Sequence, residues 1–239
     1  MKYKTTLLSV LGALLPAAFG QVTETYSFTT FSGQASLTIP DGNASGVSDT
    51  RTISGSSAFT IESIRVTLDL SAEFNGDLYG YLRHDSGFSV LLNRPGRASG
   101  NLPGYDDAGF NVTFAGDAIN GDIHYYQPAS GSPLTGLWQP DARAIDPDSS
   151  GAAFDAASRT ATLDSFSGLN ANGAWTLFLA DVASGGNSAL NGWGMEITPV
   201  PEPHEYAILT GVGLAAFALW RRQRRPGLPV LNKSGNTTL

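Results

Sequence analysis

The sequence predicts an all-β protein, and three observations support this prediction. Apolar residues in the middle of the chain recur at every second position, which is the period of a half-buried strand. Glycine, asparagine and aspartate interrupt these stretches at the short intervals typical of β-turns. Between residues 21 and 203 no stretch combines a helical apolar stripe with capping residues. Short alternating strands joined by such turns are typical of a β-sandwich or a barrel.

The clearest strand is a segment in which Ile64, Val66, Leu68 and Leu70 alternate with polar residues. Glycine-rich and aspartate-rich turns separate it from the strands that follow. The further strands expected along the chain are 78–82, 88–92, 175–180 and 193–197.

Two turns and one long loop are expected between these strands. Asn75–Asp77 turns the chain after the first strand, and Asp85–Gly87 closes a hairpin. The segment Asp141–Ser158 is rich in Asp, Ala, Ser and Pro and predicts a long exposed loop.

Charge and composition exclude several classes of function. Residues 21–203 hold seven arginines, no lysine, fifteen aspartates and five glutamates, which gives a net charge of −13. Such a surface repels nucleic acid and anionic lipid, so no nucleic-acid partner is expected. The sequence has no cysteine, which excludes disulfides, thiol nucleophiles and thiolate metal sites. A segment of this length can bury the core of one domain.

The N-terminus has the pattern of a secretory signal peptide, which we assign to residues 1–20. Lys2 and Lys4 precede an apolar run, and Ala18 to Gly20 supplies the small residues that signal peptidase requires. We expect maturation before Gln21, after which residues 21–34 lead into the folded domain.

The C-terminal segment has the order of a sorting tail. An uncharged apolar stretch at residues 206–220 follows a polar hinge and ends at a basic cluster. The hinge is Val200, Pro201, Glu202 and Pro203, and the cluster is Arg221, Arg222, Arg224 and Arg225. Residues 199–225 thereby resemble a PEP-CTERM tail. The resemblance implies an exosortase-type sorting enzyme as partner, transient anchoring in the inner membrane, and delivery to the cell surface or the extracellular matrix.

Two alternatives for this tail stay open. The apolar stretch is short for a hydrocarbon core of roughly 30 Å at about 1.5 Å per residue. One alternative is therefore a helix that packs against the folded domain. The other is a permanent anchor, because residues 226–239 continue beyond the arginines as a polar, flexible tail.

Motifs spread in order over residues 35–198 match one known family. They are Ile39–Gly42, Gly46-Val47, Ile53–Gly55, Ile64–Leu70, Asn75–Leu78, Ser86-Gly87, Asn172–Leu177 with Asp181, and Leu190–Trp193. The segment thus resembles the P domain (P/Homo B) found beside subtilisin-like proprotein convertases. The resemblance implies a jelly-roll β-sandwich similar to galactose-binding-like modules. The chain departs from the family at Phe74-Asn75, where an aromatic–basic pair is common, and in the long Asp141–Ser158 segment.

We expect no enzyme activity, because nothing in the sequence singles out a catalytic constellation. A hydrolytic triad needs a nucleophile, a histidine base and a carboxylate that converge. His84 lies at a hairpin corner, His124 is expected in an ordinary strand, and His204 lies in the tail. No nucleophile-elbow motif of the form Gly-x-Ser-x-Gly occurs. A glycosidase carboxylate pair stays open, because sequence does not give the distance between two acids.

Calcium is the candidate cofactor. The excess of aspartate over glutamate suits Ca²⁺, which takes six to eight oxygen ligands. Loops at one end of a jelly roll could bring such ligands together, and the candidates are Asp77, Asp106, Asp107 and Asp181. The alternative for Asp77 and Asp181 is a turn-capping carboxylate that accepts backbone N–H bonds.

Aromatic residues supply candidate ligand-binding groups. Tyr79 and Tyr81 should share one face of their strand, and Tyr105 lies in a loop. Exposed rings beside Asn and Asp can stack on a sugar ring and bond its hydroxyls. The alternative is that such rings cover the edges of the sandwich. Trp175 and Trp193 open strands and are expected in the core.

These observations favour a non-catalytic, exported protein of the cell surface or extracellular matrix, adhesive or structural in an exopolysaccharide biofilm. Its partners would be exopolysaccharide or other surface proteins, an expectation by analogy between folds. The rival hypothesis is an accessory domain linked to proteolysis. Such a domain would stabilise or target a separate subtilisin-like serine protease.

Overall fold

The computed structural model describes residues 22–55, 60–127, 133–200 and 203–223, and the side chains of the last segment for residues 210–222. Within these residues the chain forms ten strands and two α-helices. The strands are β1 (Glu24–Phe28), β2 (Leu37–Ile39), β3 (Asn43–Ile53), β4 (Ile61–Ser71), β5 (Leu78–His84), β6 (Gly87–Asn93), β7 (Phe110–Phe114), β8 (Leu134–Trp138), β9 (Gly173–Asp181) and β10 (Ser188–Pro199). The helices are α1 (Gly151–Ala156) and α2 (Pro203–Gln223), and single 3₁₀ turns form at Asn75–Asp77, Ile123–Tyr125 and Leu163–Phe166.

The strands of the unit that spans residues 21–200 form two sheets. One sheet has the order β1-β10-β4-β7-β8, with β2 also paired to β10, and the other has the order β3-β9-β5-β6. All strand pairs are antiparallel except β7 and β8, which are parallel. One apolar cluster joins residues from both sheets. The predicted all-β sandwich is confirmed, and the jelly-roll connectivity stays an expectation.

The core follows the predicted alternation. In β4 the side chains of Ile64, Val66, Leu68 and Leu70 are buried, and the residues between them are exposed. Fully buried leucines of β5 and β9 complete the core from the opposite sheet. Trp175 and Trp193 are also buried, as expected. Each of these two side chains buries a large apolar area in the core.

The predicted hairpin forms between β5 and β6. His84 pairs with Gly87 across a two-residue turn, and Asp85 adopts a positive φ of 50°. Such turns favour Asp, Asn and Gly because these residues tolerate the left-handed conformation. The hairpin therefore forms where local turn chemistry and the period-two pattern agree.

The segment Asp141–Ser158 is exposed at many positions, as composition predicted, but its first three residues are buried and part of it is helical. Asp141 and Ala142 are fully buried, and α1 forms within the segment with Phe154 buried. The hydroxyl of Ser150 caps α1 by accepting from the amide of Ala153. Asn93 of β6 donates to two carbonyls of the segment and fastens it to the sheet edge. A polar composition concealed these contacts, because the buried polar groups are hydrogen-bonded to one another.

The helix α2 belongs to a separate unit and is described by itself. It spans 21 residues and covers the stretch in which a helix was expected. Its side chains from Thr210 to Arg222 are exposed, including the apolar Leu214 and Phe217. In the described part of the chain, no helix is both long and apolar enough to cross a membrane. The expected signal peptide, Pro201, Glu202, Arg224, Arg225 and the tail 226–239 lie outside the described residues.

Candidate functional site

The connections β4–β5 and β6–β7 meet at one end of the sandwich, and Asn75 joins them. Its side-chain amide donates to the carbonyl of Gly109 and to the hydroxyl of Tyr126, both at 3.0 Å. Its carbonyl oxygen accepts from the amide of Gly109 at 2.7 Å. The amide of Gly76 donates to the carbonyl of Tyr105 at 2.7 Å. These bonds fix the relative position of the two connections and leave a cleft between them.

The cleft, here called the end cleft, has a volume of about 360 Å³. Its lining residues are Phe74, Asp77, Asn101, Pro103, Gly104, Tyr105 and Asp106. Phe74 is 42% exposed, so its ring is available to a ligand. Asp106 is exposed, and its carboxylate accepts no hydrogen bond from the described residues. The end cleft thus combines free aromatic surface with a free carboxylate, which suits a ligand that has an apolar face and hydroxyl groups.

Tyr105 forms a fixed wall of the end cleft. Its ring lies 4.6 Å from the ring of Tyr126, centroid to centroid, and burial raises the pKa of its hydroxyl. Gly96 presses against the other side, where an added Cβ would lie 2.6 Å from the Tyr105 ring. Asn101 donates to the carbonyl of Gly104 at 2.9 Å and holds the opposite rim. The wall is therefore preorganised by packing.

Two predicted metal ligands form a buried acidic pair: Asp77 lines the end cleft, and Asp181 lies opposite Leu78 in the β5–β9 register. Asp77 lies 3.3 Å from the guanidinium of Arg94, yet burial still raises the pKa of its carboxyl, and Asp41 adds to the rise. Burial also raises the pKa of Asp181. The negative charge of Asp77 adds to this rise, and the hydrogen bond from Ser188 opposes it. One oxygen of Asp181 accepts from Ser188 at 2.8 Å, and the other is buried with no hydrogen bond of normal geometry. The backbone of Ala183 still lowers the pKa of this carboxyl. The loss of hydration on burial therefore raises each pKa more than the partner lowers it, the partner being Arg94 for Asp77 and Ser188 for Asp181.

The other two predicted metal ligands point to different environments. Asp106 is exposed in the end cleft, whereas its neighbour Asp107 is only 3% exposed and has one oxygen without a partner. Burial and the carboxylate of Asp107 both raise the pKa of the Tyr126 hydroxyl, and the hydrogen bond from Asn75 opposes them. In the parts of the chain that the structure describes, no three acidic or histidine side chains are placed to hold a metal ion.

Tyr79 and Tyr81 share one face of β5, as predicted, but they do not join Tyr105. They lie on the outer face of the four-stranded sheet, where Tyr81 stacks on Phe178 with centroids 4.8 Å apart. Phe88 lies 5.1 Å from Tyr81 on the same surface. The three predicted ligand-binding tyrosines therefore divide between two surfaces.

The two histidines of the folded unit are held in place by hydrogen bonds. The ring nitrogens of His84 face the carbonyls of Ala174 and Asn170 at 3.0 and 2.7 Å, and the ring stacks on Trp175. His124 was expected in a strand but lies in the 3₁₀ turn Ile123–Tyr125, fully buried. Its Nδ1 contacts Asp141 at 2.7 Å.

Several lining residues of the end cleft were not foreseen from the sequence. Phe74, Asn101 and Pro103 carry no motif, and their proximity depends on how two connections fold against each other. The sequence signal that could have found Phe74 is a large apolar residue directly before the Asn75–Asp77 turn, where polar residues are usual.

No protein-family model matches the chain, and no curated protein matches it. Among solved structures, it is similar to a chain of the complex between the Aeromonas sobria serine protease and the chaperone ORF2, at 17% identity and a TM-score of 0.41. That alignment covers 77% of this chain and 28% of the other. A second structure, the serine protease of Aeromonas sobria, gives 18% identity, a TM-score of 0.42, and coverage of 76% and 27%. The chain thus spans under a third of the length of these proteins.

Proposed function

We propose that the protein is a non-catalytic, exported module that binds a neutral polysaccharide at the end cleft. The observation that carries the proposal is the placement of an exposed Phe74 beside the free carboxylate of Asp106 and the fixed ring of Tyr105. Aromatic rings stack on the C–H face of a sugar, and carboxylates accept from its hydroxyls. The cleft therefore offers both kinds of contact that a sugar ring uses.

Charge favours a neutral ligand. The segment 21–203 carries a net charge of −13. Asp77 and Asp106 line the end cleft, and Asp181 is buried near Asp77. An anionic polymer would be repelled by this field, whereas a neutral sugar chain would not. The ligand in this proposal is a neutral exopolysaccharide of the producing cell.

Export and sorting complete the proposal. In it, the signal peptide directs the chain out of the cytoplasm and an exosortase-type enzyme processes the tail near Pro201-Glu202-Pro203. The basic residues after the apolar stretch hold the tail in the inner membrane until then. The P-domain-like module then reaches the cell surface or extracellular matrix.

Calcium belongs to the proposal as a structural cation at the buried acidic pair. Asp181 is 2% exposed, and its oxygen without a hydrogen bond of normal geometry lies in an acidic environment with Asp77 and Asp41. A buried carboxylate oxygen without such a bond is costly, and a cation would offset that cost. Backbone carbonyls and water would supply the remaining oxygen ligands.

The test is retention of residues 21–200 on immobilised exopolysaccharide from the producing organism. This segment forms a compact unit with its own core. Runs with calcium and with EDTA would show whether the cation supports binding. Phe74→Ala and Asp106→Asn should each weaken retention about tenfold, equivalent to about 1.4 kcal/mol. Asp117→Asn is the control, because Asp117 is exposed and pairs with Arg65 in a different cleft.

Three outcomes would contradict the proposal. Absence of retention in both buffers would favour a protein partner and make the protease-accessory hypothesis the leading one. Equal retention of the two cleft variants and the wild type would move the site away from the end cleft. Release of shortened sugars during incubation would contradict the non-catalytic assignment.

A further inference from the structure

We propose that four aromatic side chains on the outer face of the four-stranded sheet form a second sugar subsite, which holds units of the same polysaccharide beyond the end cleft. This aromatic row consists of Tyr79, Tyr81, Phe88 and Phe178. The inference rests on the proposed function but concerns a different surface. Its ligand is a neutral, polyhydroxylated chain of several sugar units.

The rings of the row are in continuous contact. Tyr81 lies directly opposite Phe178 in the β5–β9 register, with centroids 4.8 Å apart and ring planes 16° apart. Tyr79 lies 6.0 Å from Tyr81, and Phe88 lies 5.1 Å from Tyr81 on the other side. All four are half-buried, so part of each ring stays accessible. Single exposed rings are ordinary on a protein surface, but a contiguous group marks an interaction site.

The neighbours of the row on this face are short and polar. Ser48 lies opposite Phe178 in β3 and is exposed, and Thr50 bonds Thr176 at 2.9 Å through their hydroxyls. Arg83 follows Tyr81 by two residues on the same face and is exposed. These groups offer donors and acceptors around an apolar strip. A sugar chain has the matching arrangement, with C–H faces and hydroxyl edges.

The row lies along β5 from the end cleft, and this position favours a polymer as its ligand. Asp77 lines the cleft, and β5 begins at the next residue. At about 3.3 Å per residue, Tyr79 and Tyr81 lie roughly 7 and 13 Å along the chain from Asp77. A linear polymer that leaves the cleft along β5 therefore meets the row within a few sugar units. A small ligand would fill the cleft without reaching it.

The length of the sugar ligand tests this subsite, because only a long ligand would reach the row from the end cleft. Exopolysaccharide fragments would be separated by size into a short fraction of one repeat unit and a long fraction of several repeat units. Calorimetry would measure the affinity of residues 21–200 for each fraction. Tyr81→Thr and Phe178→Thr remove rings from the row and place a strand-favouring residue in each position. Thr52→Ala is the matched control, because Thr52 is exposed on the same face of β3 and lies opposite Ala174 rather than a ring of the row. Thermal melting checks that each variant is folded, and Phe88→Thr replaces Tyr81→Thr if that variant is unstable.

The row variants should bind the long fraction about tenfold more weakly and the short fraction as the wild type does. Thr52→Ala should match the wild type on both fractions. Equal affinity of row variants and wild type for the long fraction would overturn the inference and leave the end cleft intact. Failure of Asp106→Asn to weaken the short fraction would instead remove the proposed function. A wild-type domain that binds neither fraction would overturn both.

Discussion

The Nδ1 atom of His124 lies 2.7 Å from a carboxylate oxygen of Asp141, and both side chains are completely buried. The other ring nitrogen lies 3.0 Å from the carbonyl of Arg97. The second oxygen of Asp141 accepts from Arg143 at 3.1 Å, and Arg143 also donates to Asp122 at 2.8 Å. This network ties the 3₁₀ turn that contains His124 to the segment after β8.

Asp141→Asn should lower the free energy of unfolding by about 3 kcal/mol, because it removes the buried carboxylate that contacts His124 and one of the two carboxylates that pair with Arg143. Urea denaturation followed by fluorescence measures this value. The control is Asp117→Asn, whose partner Arg65 is 3.5 Å away and whose carboxylate is 75% exposed. Such a surface pair contributes under about 1 kcal/mol. Losses of similar size in the two variants would show that the network adds no more than a surface pair.

The buried acidic pair gives a pH dependence of known sign. The pKa of Asp77 and of Asp181 is raised above 3.8 in the folded protein, so the folded state binds these protons more tightly than the unfolded state. Their contribution to stability is therefore complete below pH 3.8 and is lost as pH rises through the folded pKa values. In calcium-free buffer, Asp181→Asn should raise the melting temperature at pH 7 and reduce this decline.

Melting curves between pH 4 and pH 8 would measure the effect of Asp181→Asn. The control is Asp85→Asn, at an exposed turn position. If Asp181→Asn melted at a lower temperature than the wild type at pH 7, the hydrogen bond with Ser188 would outweigh the desolvation of the carboxylate.

Calcium should raise the melting temperature of residues 21–200. Binding to the folded state alone stabilises by RT ln(1 + [L]/Kd), about 2.7 kcal/mol at a hundredfold excess over Kd. The rise should disappear with EDTA and in the Asp181→Asn variant. Identical melts in calcium and EDTA would remove the cation from the proposal, and a rise that persists in Asp181→Asn would place it elsewhere.

Gly96→Ala should damage the wall of the end cleft. Gly96 has a φ of 80°, and an added Cβ would lie 2.6 Å from the ring of Tyr105. The backbone strain costs about 1 kcal/mol and the overpacking about 1–3 kcal/mol more. Gly168→Ala is the matched control, since Gly168 has a φ of 82° and no atom within 4 Å of an added Cβ. Equal stability of the two variants would show that Tyr105 yields to the added methyl group.

Processing of the tail predicts which peptides reach the cell surface. If the sorting enzyme cuts near Pro201-Glu202-Pro203, mass spectrometry of the surface fraction should find peptides up to that point and none from Ala207 onward. Peptides from the apolar stretch in that fraction would favour a permanent anchor.

Periodicity allowed a large part of the fold to be predicted. The alternation around Leu68, the β5–β6 hairpin and the burial of Trp175 all depend on interactions that are close in sequence or on a simple face preference. The burial of the first three residues of the segment Asp141–Ser158 was not predicted, because Asp141 and Arg143 hydrogen-bond each other inside the protein. Composition cannot distinguish a hydrogen-bonded buried carboxylate from a solvated one.

Three residues that the sequence singled out lie together, and their roles stay predictions. Asp77, Tyr105 and Asp106 do line one cleft, because turns at one end of a sandwich converge. Asp107 is buried although its neighbour Asp106 is exposed. Tyr79 and Tyr81 lie with Phe88 on the outer face of the four-stranded sheet. No sequence motif predicts this surface.

By itself the sequence determined the strand faces, the turns, the negative charge and the expectation of export, because these follow from local chemistry and composition. Only the tertiary structure decided that Asn75 bonds Tyr126, that Asp141 meets His124, and that Phe74 stands beside Asp106. Each of these pairs is far apart along the chain. Their contact depends on how connections pack once both sheets are in place, and a period-two pattern carries no information about that packing.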